Sequence, residues 1–120
     1  MAILNMTGPY KLTNEKIDEV IVKISAGNYA LGKITKESFD VYYVGRSDDD
    51  VNKALKQWVG EYPNKYVDFK FSYADSPKAA YEKECKNYHD FGGDTKLDNQ
   101  RESHPKCPAG TNLKCPMCGA

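Results

Sequence analysis

The chain has 120 residues, enough for one domain with its own core, and its seventeen basic and seventeen acidic side chains cancel to a net charge of zero. That balance excludes a globally cationic nucleic-acid binder, so any contact with a polyanion has to come from a local patch. No stretch reaches the roughly eighteen apolar residues of a membrane span, and MAILNMTGPYKL lacks the charged start and cleavage site of a secretory leader, which predicts a soluble, intracellular, cytoplasmic protein.

Thr13 or Asn14 is placed to cap a helix whose apolar positions Ile17, Val20, Ile21 and Ile24 follow a three-and-four spacing, with Gly27 to end it. NYALGKI then reads as a strand, TKES as a turn and FDVYYVG as a second strand, together an antiparallel hairpin that sets Tyr29 and Tyr43 on neighbouring strands. From Asp49 or Asp50, residues Val51, Leu55, Trp58 and Val59 mark an amphipathic helix that ends near residues 60–63.

YVDFKFSYA alternates apolar and polar side chains as a half-buried third strand does. Ser76 and Pro77 supply a helix cap and a first-turn proline, and the helix KAAYEKECKNYHDF is expected to run to about Phe91, before Gly92 and Gly93. The expected fold is α/β in the broad α+β sense, a small three-stranded antiparallel sheet flanked by helices. Residues 1–93 form the expected domain, and 94–120 a tail rich in turn formers.

Of the four cysteines, Cys107, Cys115 and Cys118 crowd into the tail, which is not the spread of a disulfide-stapled secreted fold. His104-x₂-Cys107 and Cys115-x₂-Cys118 supply four ligands of the kind a tetrahedral structural Zn²⁺ takes. Set against that reading, the second pair lies two residues from the chain's end, where fraying is common. Cys85 reads as a small buried hydrophobe.

Tyrosines in strands are ordinarily packing residues, and neither GNY nor YVG alone means more than that. Their order is less ordinary. Gly27-Asn28-Tyr29, then Tyr43-Val44-Gly45-Arg46-Ser47, then a helix, then Ala80 and Glu84 one turn apart in a later helix form a set. Over residues 25–100 this resembles the GIY-YIG nuclease domain, with fourteen positions from one tyrosine to the other and Asn99 matching the family's late asparagine.

The resemblance implies metal-dependent hydrolysis of DNA phosphodiesters. It assigns one Mg²⁺ or Mn²⁺ ion to Glu84, the attacking water to Tyr29, and the phosphate or nucleophile to Tyr43. A carboxylate suits such an ion, which keeps most of its waters and polarises a phosphate oxygen. Arg46 and Ser47 leave the strand beside the tyrosines and are candidate phosphate contacts, with Lys53 on the next helix. The competing account of Arg46 is a surface pairing with Asp48, Asp49 or Asp50. Those three aspartates read as a solvated helix start, because consecutive residues do not converge on one ion without a loop built for it.

The family's catalytic arginine is missing: in the frame VNKALKQW, Ala54 stands where the resemblance places it, and Trp58 stands where the family often has histidine. Losing one preorganised donor of that kind costs on the order of 10² in rate, so this form is expected to be impaired unless Arg46 or Lys53 substitutes. Ala54 is either natural to a degenerate member or an engineered Arg→Ala change. Two rivals to the nuclease stand beside it. One is a non-catalytic module that holds nucleic acid or a protein in the same cleft. The other is a zinc-stabilised interaction domain whose tyrosines are core. His89 is a candidate auxiliary base or a helix-end packing residue. Lysines 53, 56, 65, 70, 78, 83 and 86 read slightly better as a solubilising surface than as a phosphate track.

Overall fold

Four antiparallel strands stand side by side in a computed structural model of the chain, which describes residues 6–35 and 38–90. The strands are β1 (Thr7–Lys11), β2 (Gly27–Thr35), β3 (Ser38–Ser47) and β4 (Asp68–Tyr73), in the order β1-β4-β2-β3. Three helices complete the fold: α1 (Asn14–Val20), α2 (Val51–Lys56) and α3 (Pro77–Asp90). The expected hairpin is present as β2 and β3, in register from Gly27↔Ser47 to Thr35↔Ser38 with one irregularity after Leu31.

The sheet has one strand more than expected. β1 pairs with β4 through Thr7↔Phe71 and Tyr10↔Phe69, with a shift between them. Its sequence hides it, because Gly8 and Pro9 are residues that weaken a strand reading. At the sheet's edge a proline costs no ladder bond, and Gly8 takes a φ of 126°, which side chains other than glycine's rarely adopt.

Alternation along the strands gives the sheet two different faces. Tyr29, Leu31, Phe69 and Phe71 look to one side, where Ile17 and Ile21 with Val51 and Leu55 of α2 close over them. Leu31, Leu55 and Ile17 are wholly buried, each contributing about 1.5–3 kcal/mol of transfer free energy relative to exposure. Asn28, Ala30 and Val44 look to the other side, beneath α3; Ala30 and Val44 pack with Tyr88, and the Asn28 side-chain amide donates to the Ala80 carbonyl at 2.8 Å.

α1 is shorter than the expected helix. Thr13 caps it as anticipated, accepting from the Lys16 amide, but the helix stops at Val20 and Ile24 lies in solvent at 84 % exposure. Three β-branched residues in succession, Val20, Ile21 and Val22, favour leaving the helix, and the backbone groups released there find side chains. Asn52 Nδ2 donates to the Ile21 carbonyl at 3.2 Å, and the Val22 amide donates to the Tyr73 hydroxyl at 3.0 Å.

α2 is likewise brief, with Asp50 as its cap. The chain then continues in tighter turns, Trp58 N–H to Leu55 and Glu61 N–H to Trp58, which swing Trp58 back over the sheet. α3 starts as expected, with Ser76 Oγ accepting from the Ala79 amide at 3.1 Å. No helix among the described residues is long and apolar enough to cross a membrane.

Candidate active site at the β2–β3 ladder

Gly45 explains how the two tyrosines meet. It stands opposite Tyr29 in the ladder, while Tyr43 stands opposite Leu31, so the tyrosines are diagonal neighbours on one face. With no side chain at 45, the Tyr29 ring lies across the strand: a Cβ there would meet the ring carbon Cζ at 2.5 Å and the hydroxyl at 2.6 Å. The two tyrosine rings stand 6.3 Å apart with an interplanar angle of 18°.

Trp58 closes this side. Its indole N–H donates to the Tyr29 hydroxyl at 3.1 Å, and its ring lies 4.7 Å from that of Tyr43 and 5.5 Å from that of Tyr66. Burial pushes the Tyr29 phenol above the ordinary tyrosine range, neighbouring Tyr43 and the negative charge of Glu84 push the same way, and the Trp58 hydrogen bond opposes them in part. Tyr29 is therefore a neutral hydroxyl that accepts from Trp58.

The next residue along β3 turns to the opposite face. Arg46 Nη1 donates to Glu84 Oε1 at 2.6 Å, its Nε donates to Asp48 Oδ1 at 2.8 Å, and its guanidinium carbon sits 5.2 Å from the centre of the Tyr81 ring. Burial works against the guanidinium's charge, but the bonds to Asp48 and Glu84 outweigh it and raise its pKa. Arg46 thus makes the pairing with Asp48 that was the competing account of it, and it also joins Glu84, 38 positions away, in a largely buried ion pair.

Ser47 is engaged in the turn. Its hydroxyl donates to Asp49 at 3.0 Å and accepts from the amide of Asp50 at 2.9 Å. Lys53 is exposed on α2, and Ala54 is partly buried against the core cluster that holds Tyr29. Of the other lysines, Lys56 pairs with Asp18 at 2.6 Å and Lys83 donates to Ser72 at 2.7 Å. Cys85 is buried, as expected. Asn99, the candidate zinc ligands His104, Cys107, Cys115 and Cys118, and the side chain of His89 lie outside the described residues.

Trp58 is the partner that sequence reasoning left without a role at the site. Trp58 carried one signal, its place where histidine is usual in the resembling family. Asp48 was named with Asp49 and Asp50 as a partner for Arg46, and a run of aspartates does not say which of the three takes it.

The described residues contain no group of three or more His, Cys, Asp or Glu side chains arranged around one point. Mg²⁺ needs less, since it takes one or two carboxylates and keeps its waters. Glu84 and Asp48 are two such carboxylates converging on the Arg46 guanidinium. The donor set fits a hard divalent ion in kind, with Arg46 as the competing cation. Compared with protein-family models, with curated proteins and with solved structures, the chain gives no match in any of the three.

Proposed function

We propose that the chain is a nuclease of the GIY-YIG kind, a metal-dependent hydrolase of DNA phosphodiesters whose activity is impaired by Ala54. The observation that carries this reading is the junction at Gly45–Arg46. On one side of the strand are the stacked hydroxyl-bearing rings of Tyr29 and Tyr43, and immediately next in sequence is an arginine bound to the helix carboxylate Glu84. The central placement of β2 between β3 and β4 gives both halves of the site one rigid base.

Tyr29, held neutral, orients a water by hydrogen bonding and does not take its proton from the outset. The water's oxygen bonds to phosphorus as the P–O bond to the leaving sugar breaks; the attacking water releases one proton to solvent, and the departing oxygen takes one from solvent. Arg46 presents a planar fork of donors that matches two phosphate oxygens, and a phosphate arriving there exchanges for the Glu84 carboxylate as its partner. Glu84, with Asp48 beside it, would hold a Mg²⁺ or Mn²⁺ ion, and that ion would supply positive charge to the phosphate. Position 54 lies on the tyrosine side, where alanine donates nothing.

The second reading is a binding module without chemistry. The upward shift of Tyr29 and the prior pairing of Arg46 favour it, because both lower the reactivity of the site as it stands. Nicking of supercoiled, branched and single-stranded DNA with Mn²⁺ separates the two, using the chain as given beside its Ala54→Arg form. Metal-dependent nicking by the arginine form, lost again on adding Glu84→Gln, supports the nuclease. No nicking by either form, with salt-sensitive DNA binding retained, leaves the binding module.

A further inference from the structure

The aromatic cluster continues outward past the two tyrosines. Beyond the last turn of α2, Trp58 faces Tyr62 with ring centres 6.5 Å apart at 32°, and Tyr66 packs edge-on beneath both, 5.5 Å from Trp58 and 5.1 Å from Tyr62. The inner end of this group is fixed, since Trp58 is bonded to Tyr29 and packed on Tyr43. Its outer end is open: Tyr62 is 53 % exposed and is the one aromatic among the exposed large apolar side chains of the described residues. The ring lies outside the buried core cluster.

We propose that Trp58 and Tyr62 form a stacking platform for an unpaired nucleobase of a DNA strand bound at the tyrosine face of the sheet. The inference rests on the nucleic-acid part of the reading above and adds what that reading lacks, the kind of DNA taken. Aromatic faces accept any base that is out of its duplex and none that is paired inside one. The exposed Lys53 and Lys65 flank the platform in sequence and suit a strand backbone. Exposed Glu61, next to Tyr62, keeps the surface from being a general basic patch, so stacking and not bulk charge carries the contact. The hydrogen bond from Trp58 to Tyr29 ties the platform to the tyrosine side of the site. The preferred substrate is accordingly a single strand, flap or mismatch.

Trp58 is the chain's sole tryptophan, so its emission reports the platform directly. The full chain is titrated in chelator, without metal, with a short oligothymidylate, with an abasic phosphodiester of the same length, and with a blunt duplex. The expected result is quenching by oligothymidylate at several-fold higher affinity than by the other two. Tyr62→Ala should lower affinity for oligothymidylate by about 5- to 100-fold and leave abasic binding unchanged, while Tyr62→Phe, which keeps the π face, should bind like the parent. Equal affinity for base-bearing and abasic strands, or a Tyr62→Ala form that binds oligothymidylate normally, overturns the platform. Both variants keep the backbone bonds from Lys65 and Tyr66 to the residue 62 carbonyl, and an unchanged melting temperature is the check that lost affinity is not lost folding. Failure of the nuclease reading is seen separately, in the nicking assay: quenching without nicking keeps the platform, and nicking without base preference removes it.

Discussion

The Arg46 guanidinium bridges Glu84 of α3 and Asp48 of the turn after β3, at 2.6 and 2.8 Å, and so pins the third helix to the end of the second hairpin strand. Both side chains of the Arg46–Glu84 pair are nearly out of solvent, at 12 % and 11 % exposure. Such a pair costs more to break than it contributes over an apolar replacement, because the surviving charge remains buried. Arg46→Met should lower stability by about 3 kcal/mol. Glu84→Gln should cost less, about 1.5–2 kcal/mol, since Asp48 stays with the arginine. The double change Arg46→Met with Glu84→Leu should recover most of the loss. Urea denaturation of the three variants checks this, and a double variant no better than Arg46→Met would contradict it.

Gly45 is a packing requirement. Gly45→Ala places a methyl within 2.6 Å of the Tyr29 hydroxyl, so the ring must shift, at a cost of about 1–3 kcal/mol. The displaced hydroxyl also loses the Trp58 N–H. Removing the ring relieves the clash, so in the Tyr29→Ala background the same Gly45→Ala change should cost close to nothing. Additive losses in a double-mutant cycle by thermal melting would place the strain elsewhere.

Tyr29 makes the fold sensitive to alkali. Its folded-state pKa is raised from the ordinary 10.0, so below about pH 10 both folded and unfolded chains carry the proton and stability is complete. Above it the unfolded chain releases the proton while the folded chain retains it, and stability falls by up to about 1.4 kcal/mol per pH unit from this group. Tyr29→Phe should flatten that part of the decline. Urea midpoints measured across the alkaline range test this; superimposable curves for parent and Tyr29→Phe would refute the assignment.

Ala54 sits at the rim of the core, partly exposed on α2. An arginine there has room to carry its charged head to solvent, so Ala54→Arg should leave stability within about 0.5 kcal/mol of the parent. Nicking gained without a change in melting temperature would then be a chemical effect of the side chain. A large destabilisation would show that position 54 is shaped for alanine.

The local sequence was enough for the hairpin, for α3 with its Ser76 cap, and for the two faces of β4, because alternation, capping and turn chemistry act within a few residues. It also placed Tyr29 and Tyr43 on adjacent strands. Only the tertiary structure decided the rest. β1 became visible through its partner β4, since Gly8 and Pro9 obscure it in sequence. The early end of α1, favoured locally by Val20, Ile21 and Val22, was completed by Asn52 and Tyr73, far along the chain, which take up the backbone groups of Ile21 and Val22. The neutral Tyr29 bonded to Trp58 and the buried pairing of Arg46 with Glu84 depend on register across the sheet and on which helix covers which face. Those are properties of segments brought together from 29 to 58 and from 46 to 84, and no spacing within either segment encodes them.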